Sequence, residues 1–314
     1  MRAAQLVAFG DPPEFDVREV AEPEAGPTEA VVALEAAALN RRDWWIWRQP
    51  GRADLPVTLG SDGAGIVAAV GEDVVDFVVG DEVVFDATLN WGGRDDCPGP
   101  EFAILGVPNA GTFAESVVVP ARNLAHKPPR LSWEEAAALN LAGLTAWRAA
   151  VTCAGAAPGR TLLVTGAGGG VSTFAVQIAA ALGTRVLVTS GGEEKIDRAL
   201  ALGADAGFDY RDPRWPDALV EATDGGVDAV VDGYGAPTWR GALRALRDGG
   251  VLVNFGDTGG ADARVDVMEV YWHWRSIVGT TMGSPREYGA LLDHVRDASW
   301  RPVVDSGFPL EDIA

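Results

Sequence analysis

A strand-like run, Thr161–Thr165, leads into Gly166-Ala167-Gly168-Gly169-Gly170-Val171 and then into an apolar helix-like stretch. Glycines at such a junction let the backbone approach a pyrophosphate closely, and a helix N-terminus adds unpaired N–H groups and a favourable dipole end. Any tight strand-to-helix turn can use glycines. Here, however, the cluster opens a long alternation of strands and helices, the context that points to a dinucleotide. The choice of dinucleotide falls about 20 residues later, where an acid at the end of the second strand would take the ribose 2′-hydroxyl of NAD. This chain has Thr189-Ser190-Gly191-Gly192 there, with no acid at the tip, and then Lys195, one of only two lysines beside Lys127. An ammonium at Lys195 can pair with a 2′-phosphate as a point charge. Glu193 and Glu194 leave a ribose contact open if the loop curls back, and a merely solvated lysine is the plainer alternative. NADP(H) is the favoured cofactor.

These residues need two kinds of scaffold. Up to about Ala125 the chain reads as short strands split by Gly, Pro and Asp: Ala3–Ala8, Phe15–Val20, Ala30–Ala38, Gly65–Val70, Glu82–Phe85 and Ala114–Val119. Ser132 with Glu135 gives a capping-box pattern that opens a helix to about Leu139, with a second expected from Thr145 to Cys153. After Pro158-Gly159, strands at 161–165, 185–189, 206–209, 227–231 and 251–255 alternate with helices, and Ser276–Thr280 would extend the sheet at its edge. Short apolar strands between helices predict a parallel sheet covered on both faces.

At 314 residues, two domains are the natural expectation. A net charge of −20 argues against a nucleic-acid surface, which needs clustered Lys and Arg. The apolar stretches are broken by glycines and too short to span a bilayer, and the opening MRAAQLVAFG has no signal-peptide pattern, so a cytoplasmic protein without membrane contact is expected. The two cysteines, Cys97 and Cys153, lie far apart and suggest neither a disulfide framework nor a thiolate cage.

In sequence order, the Asn40-to-Asp43 segment, GSDGAGIVAAVG, GDEVV, FAESVVVPARNLAHKP, EEAAALNLAGLTAWRA, the glycine loop, EEKIDRALALGAD, FDYRD and VDAVVDGYG resemble the medium-chain dehydrogenase/reductase superfamily, in its quinone oxidoreductase-like branch. The resemblance covers essentially the whole chain. It implies an α/β protein made of a GroES-like β-rich catalytic domain (1–125, with 282–314 returning to it) and a Rossmann doubly wound parallel sheet (126–281), with the cofactor in the cleft between them. Relatives usually carry a further helix and strand beyond the segment resembling Arg301–Ala314.

The family pattern implies that Gly168, Gly169, Gly170 and Val171 hold the pyrophosphate, that Ser190, Lys195 and Tyr210 surround the 2′-phosphate, and that Thr145, Asn254, Gly256 and Thr280 approach the nicotinamide half. Tyr210 is otherwise an ordinary half-buried aromatic at a strand end. Zinc-dependent relatives carry Cys where this chain has Asn40 and a His-Glu pair where it has Ser61-Asp62. A catalytic zinc needs three protein ligands, so no metal is expected. His126, His273 and His294 lie too far apart in sequence to supply a site.

Without a Lewis acid, the simplest chemistry is hydride transfer to an acceptor that is already electrophilic, a quinone or an α,β-unsaturated carbonyl (enone). Asn40 is the candidate to hydrogen-bond the acceptor carbonyl or the cofactor ribose, with Asp43 supporting its loop; a turn-capping Asn is the alternative. Trp44-Trp45-Ile46-Trp47 and Trp91 are candidates for an acceptor pocket, although clustered aromatics more often belong to a core. A zinc-dependent alcohol dehydrogenase and a nucleotide-binding protein without turnover are the competing functions. The family habit of pairing Rossmann edge strands makes a homodimer through Tyr271–Thr280 the expected assembly.

Overall fold

The computed structural model describes residues 1–313 and divides into two compact units, one formed by Met1–Leu141, Ser284–Asp297 and the chain from Arg301 on, the other by Ala142–Gly283 with Ala298–Trp300. The division falls inside the helix Trp133–Trp147.

The first unit is β-rich. Its main sheet has five antiparallel strands in the order Leu124–His126, Glu82–Phe85, Asp62–Val70, Glu29–Ala38 and Ser116–Pro120. A second sheet pairs Glu14–Glu19, Arg2–Ala8 and Val57–Thr58. Alternating apolar residues explain the strands, since period-two side chains bury one face. The strand expected from Gly65 begins earlier, at Asp62, because Asp62 pairs with Ala38 and Gly63 with Ala37. That register sets Asp62 close to where Asn40 leaves the neighbouring strand.

The second unit carries a six-stranded parallel sheet in the order Ala206–Asp209, Arg185–Ser190, Thr161–Val164, Val227–Asp232, Leu246–Asn254 and Ser276–Gly279. In chain order this is 3-2-1-4-5-6, so the order reverses beside the first strand, where doubly wound sheets bind nucleotides. Leu162, Leu163, Val164, Val186, Leu187, Val188, Val230 and Val231 are all fully buried. Continuous apolar runs suit strands covered on both faces. The edge strand Ser276–Gly279 is the exposed exception.

Two helices expected at 132–139 and 145–153 form a single helix, Trp133–Trp147, that runs into a π-helical stretch, Arg148–Cys153. Gly143 does not break it: a helical glycine costs about 1 kcal/mol relative to alanine, and burial of Ala142, Leu144 and Ala146 on either side offsets that. Its start is the expected box, with the Ser132 N–H donating to Glu135 Oε2 (2.8 Å) and the Glu135 N–H to Ser132 Oγ (3.2 Å). A second such box, Ser284 with Glu287, opens the helix Pro285–Asp297, which sequence reasoning did not assign. Among the described residues no helix is long and apolar enough to cross a membrane.

Candidate functional site

In the second unit the site is built from backbone. Thr161–Val164 ends in a loop where Gly166 (φ +64°) and Gly168 (φ +104°) hold left-handed conformations that side-chain-bearing residues avoid. Gly169 then enters the helix Gly170–Ala181 in extended conformation with no side-chain cap. The first amides of that helix, Val171 among them, therefore keep the capacity of a helix N-terminus for an anion. Two bonds brace the loop from the second strand: the Ala167 N–H donates to the Thr189 carbonyl (2.9 Å), and Ser190 Oγ donates to the Ala167 carbonyl (3.1 Å). Ser190 is buried, and its hydroxyl shapes the loop through that bond.

Lys195 lies beside this loop. Its Cδ is 3.5 Å from where a Cβ on Gly168 would stand, and among the described residues no acid pairs with its ammonium. Tyr210 closes the other side: a Cβ on Gly191 would come within 2.4 Å of the Tyr210 hydroxyl, so Gly191 is required by close approach. The Tyr210 ring stacks on Tyr234 with centroids 5.8 Å apart, and its N–H donates to the Ser190 carbonyl. The structure thus brings together Gly168, Ser190, Lys195 and Tyr210. Arg211, which sequence reasoning passed over, pairs with Asp209 and places Nη2 3.7 Å from a Cβ position on Gly192.

A second cluster stands at the ends of the fourth and fifth strands. Asp232, fully buried, accepts from Thr165 Oγ1 (2.5 Å), Thr238 Oγ1 (2.8 Å), the Gly235 N–H (3.0 Å), Trp239 Nε1 (3.1 Å) and Asn254 Nδ2 (3.0 Å). Asn254 Nδ2 also donates to the Gly256 carbonyl (2.8 Å), and the Thr280 N–H donates to the Asn254 carbonyl (2.9 Å). Thr280 Oγ1 accepts from Arg148 Nε (2.9 Å), a residue of the π-helical stretch, where such distortions often mark function. Thr145 is buried in the helix just before it. Asn254, Gly256 and Thr280 therefore meet in space. Sequence reasoning missed Asp232 and Arg148; the polar Asp at the end of the apolar strand Val227–Asp232 was the available signal.

The first unit places charge in its interior. Asn40 caps the helix Arg41–Trp47, and Asp43, fully buried, accepts from the Asn40 N–H (2.8 Å) and the Gly60 N–H (3.3 Å). Asn40 Nδ2 donates to Asp62 Oδ2 (2.9 Å), while Asp62 Oδ1 accepts from the Leu141 N–H (2.8 Å). Arg42 Nη1 donates to Ser61 Oγ (2.7 Å) and to the Leu105 carbonyl (2.9 Å), and Ser61 Oγ donates to the same carbonyl (2.6 Å). Burial raises Asp43 to about 6 and Asp62 to about 7, against the opposing pull of their N–H partners and of Arg42. Burial also lowers Arg42, although both carboxylates favour its charge. Next to this network, Tyr288 donates to Asn140 Oδ1 (2.7 Å) and Asn140 Nδ2 to the Gly63 carbonyl (3.1 Å).

The aromatic run does not form one pocket wall. Ile46 packs into the core with Leu6, Leu59 and Phe113, and Trp47 packs against that cluster. Trp44 lies between the Arg41 and Arg48 guanidinium groups, 3.6 and 4.4 Å from its ring centre. Helical spacing is the reason, since neighbouring residues on a helix point to different sides. Trp91, the other pocket candidate, is buried, donating Nε1 to the Arg94 carbonyl and meeting Phe102 edge-on. Among the described residues, no three His, Cys, Asp or Glu side chains are grouped to hold a metal ion.

Residues 26–129 match the alcohol dehydrogenase GroES-like domain, and residues 170–297 match the zinc-binding dehydrogenase family. A zinc-type alcohol dehydrogenase-like protein of Schizosaccharomyces pombe is 33% identical over 312 residues, covering 96% of this chain and 89% of its own. A quinone oxidoreductase of Pseudomonas aeruginosa is 34% identical over 301 residues, covering 93% and 86%. The solved structure of an NAD-dependent alcohol dehydrogenase superposes with a TM-score of 0.91 at 40% identity, covering 96% of this chain and 91% of the other.

Proposed function

The chain belongs to the medium-chain dehydrogenase/reductase superfamily, in its quinone oxidoreductase-like branch, and is an oxidoreductase of a family that uses nicotinamide cofactors; from that premise we propose that it reduces a quinone or an α,β-unsaturated carbonyl with NADPH and without zinc. The observation that carries this reading is the arrangement at positions 40, 61 and 62. A zinc ion there would need three donors. Asn40 instead turns its amide hydrogens toward Asp62, Ser61 gives its hydroxyl hydrogen to Leu105, and the Arg42 guanidinium stands against Ser61. A protein cation beside the would-be ligands opposes a metal cation, so the donor set does not fit zinc.

The residues fit a dinucleotide. The amides of Gly170 and Val171 would receive the pyrophosphate at the uncapped helix N-terminus, while Gly169, whose N–H donates to the Gly166 carbonyl (3.2 Å), holds the loop together with Gly166 and Gly168 so that it can approach. Lys195, laid against Gly168 and with no acidic partner among the described residues, would take the 2′-phosphate beside Tyr210 and Ser190. Asn254, Gly256, Thr280 and Thr145 would border the nicotinamide. The bound cofactor supplies the hydride; this chain's residues position it and the acceptor. Asn40, oriented by Asp62 and by its place at the helix start, would hydrogen-bond the acceptor or the ribose, and Asp43 fixes the turn on which it sits.

A titration of the purified protein with NADPH and NADH tests the cofactor, with NADPH expected to bind more tightly; equal affinities would defeat that part. The resemblance to an NAD-dependent alcohol dehydrogenase makes the opposite preference the natural rival. Zinc-dependent alcohol oxidation is the second reading, favoured by the family match, and one tightly held zinc per chain together with loss of activity in chelator would establish it. Tight NADPH binding with no oxidation by any quinone or enal would instead mark a protein without turnover.

The assembly proposed is a homodimer through the exposed edge strand Ser276–Gly279. Tyr271, Trp272 and Trp274 beside it are 62%, 66% and 75% exposed, an apolar patch of the kind that marks an interface. Light scattering at the mass of a monomer would remove it. The proposed place of work is the cytoplasm.

A further inference from the structure

We infer that Arg42 is the electrophile of the acceptor site, a fixed guanidinium that receives the negative charge developing on the acceptor oxygen. The inference rests on the acceptor class proposed above. Arg42 Nη1 is anchored twice, by Ser61 Oγ at 2.7 Å and the Leu105 carbonyl at 2.9 Å. Ser61 gives its own hydrogen to Leu105, so its oxygen lone pairs face the guanidinium and the three groups form a consistent donor chain. The remaining Arg42 nitrogens, Nε and Nη2, have no hydrogen-bond partner among the described residues and are not sealed from solvent. A guanidinium is planar, so two bonds at one nitrogen fix the direction of the N–H groups on the others.

Surface arginines pair with whatever acid is near, but this one is half-buried and its bonds go to a hydroxyl and a carbonyl, neither of which neutralises it. Asp43 and Asp62 are its charged neighbours. Both carboxylates take their own N–H donors, and neither forms an ion pair with Arg42 among the described residues. Burial raises Asp62 to about 7, so near neutral pH it holds part of its proton and leaves Arg42 incompletely offset. Of the three positions that resemblance assigns to zinc, Ser61 thus bonds a cation supplied by the chain itself and Asp62 lies within its electrostatic reach.

The chemistry needs such a charge. Hydride addition to the β-carbon of an enone forms a C–H bond there and shifts the π electrons onto the carbonyl oxygen, giving an enolate while the nicotinamide is oxidised. A proton from water at the α-carbon then completes the saturated ketone. With a quinone, hydride delivered to one carbonyl oxygen forms an O–H bond and shifts the π electrons through the ring onto the other oxygen, leaving a phenolate that takes a proton from water. A preorganised donor facing the oxygen where charge develops is worth about 10²–10³ in kcat.

The test compares the full-length wild type with Arg42→Met and Arg42→Lys, each checked for folding by thermal unfolding. 4-Nitrophenol, whose ionised form carries its charge on an oxygen of an unsaturated carbon, is titrated with pH in the presence and absence of NADP⁺ and followed by visible absorbance. Bound to the wild type it should ionise with an acid constant raised by about tenfold or more. Arg42→Lys should keep part of that shift and Arg42→Met none. Folded Arg42→Met should also lose about 10²–10³ in kcat, with the NADPH affinity unchanged and partial rescue by added guanidinium ion. Failure of nitrophenol to bind the wild type, ionisation as in free solution, or the same shift in Arg42→Met would overturn the assignment. The absorbance readout requires no turnover. A wild type that shifts the phenol yet oxidises NADPH with no acceptor would defeat the function proposed above and keep the Arg42 site; turnover that is indifferent to Arg42 would defeat Arg42 alone.

Discussion

Two buried carboxylates, one in each unit, are treated differently. Asp232 in the second unit accepts five hydrogen bonds, from two threonines, a tryptophan, an asparagine and a backbone amide. Asp62 in the first unit accepts two, from Asn40 and the Leu141 N–H, and burial holds it near 7. A carboxylate enclosed by donors is a rivet: its oxygens are met by five N–H and O–H groups, and it fixes the strand ends that carry Asn254 and the turn at Gly235. A charge with two donors keeps its proton within reach and leaves nearby groups free to interact. The contrast follows the division of labour proposed for the units, with a rigid backbone cradle for the cofactor and a polar interior for the reacting acceptor.

The harshest way to break the contrast is Asp232→Asn. The amide would present N–H hydrogens to donors that already point inward, leaving several buried groups without an acceptor. Breaking a buried network of this kind costs about 3–5 kcal/mol. Urea unfolding should show that loss, whereas Asp62→Asn, with half its site able to face an amide, should lose far less. Equal costs would mean the two carboxylates are equivalent and the contrast empty.

A milder change sharpens the cofactor half. Lys195→Ala removes an exposed ammonium that braces nothing in the protein, so stability should hold while NADPH affinity falls by about 1–3 kcal/mol, the scale of a charge-assisted bond. NADH affinity should stay constant. A parallel loss for both cofactors in a calorimetric titration would show that Lys195 shapes the loop and does not read the phosphate.

How much of this could be read from the chain follows the same line. The glycine loop could be read because glycines at a strand-to-helix junction are a local signal, and Lys195 because it is a lone lysine just after the second strand; Tyr210 came only with the family resemblance, and the structure sets both side chains beside that loop while their role there stands as proposed. The parallel sheet was legible because its strands are short and continuously apolar. Arg42 was invisible because its partners are a serine 19 residues away and a backbone carbonyl 63 residues away, and a carbonyl has no letter in a sequence. The single helix Trp133–Trp147 was hidden for another reason: Gly143 reads as a break by propensity, and only burial on both sides keeps it helical. The tryptophan run misled as a pocket because adjacent letters suggest a shared wall, while the helix sends Ile46 to the core and leaves Trp44 between two arginines.

The smallest expected effect concerns pH. Burial holds Asp62 and Asp86 near 7 and Asp43 near 6 in the folded protein, against the ordinary value of 3.8 when unfolded. Between those limits the folded state binds more protons than the unfolded state, so stability must fall as pH rises through this window and level off above about 7. Salt-bridged carboxylates do the reverse, losing stability as pH falls. Raising the pH from about 5.5 to 7.5 should therefore cost about 1 kcal/mol or more through Asp62 alone, because each unit of displaced pKa is worth about 1.4 kcal/mol. Asp62→Asn should remove its share of that slope, leaving the part due to Asp86 and Asp43, while Lys195→Ala should leave it unchanged. A slope of the same steepness in Asp62→Asn, measured by urea unfolding across the window, would place the pH response elsewhere and remove the proton from the account of the acceptor half.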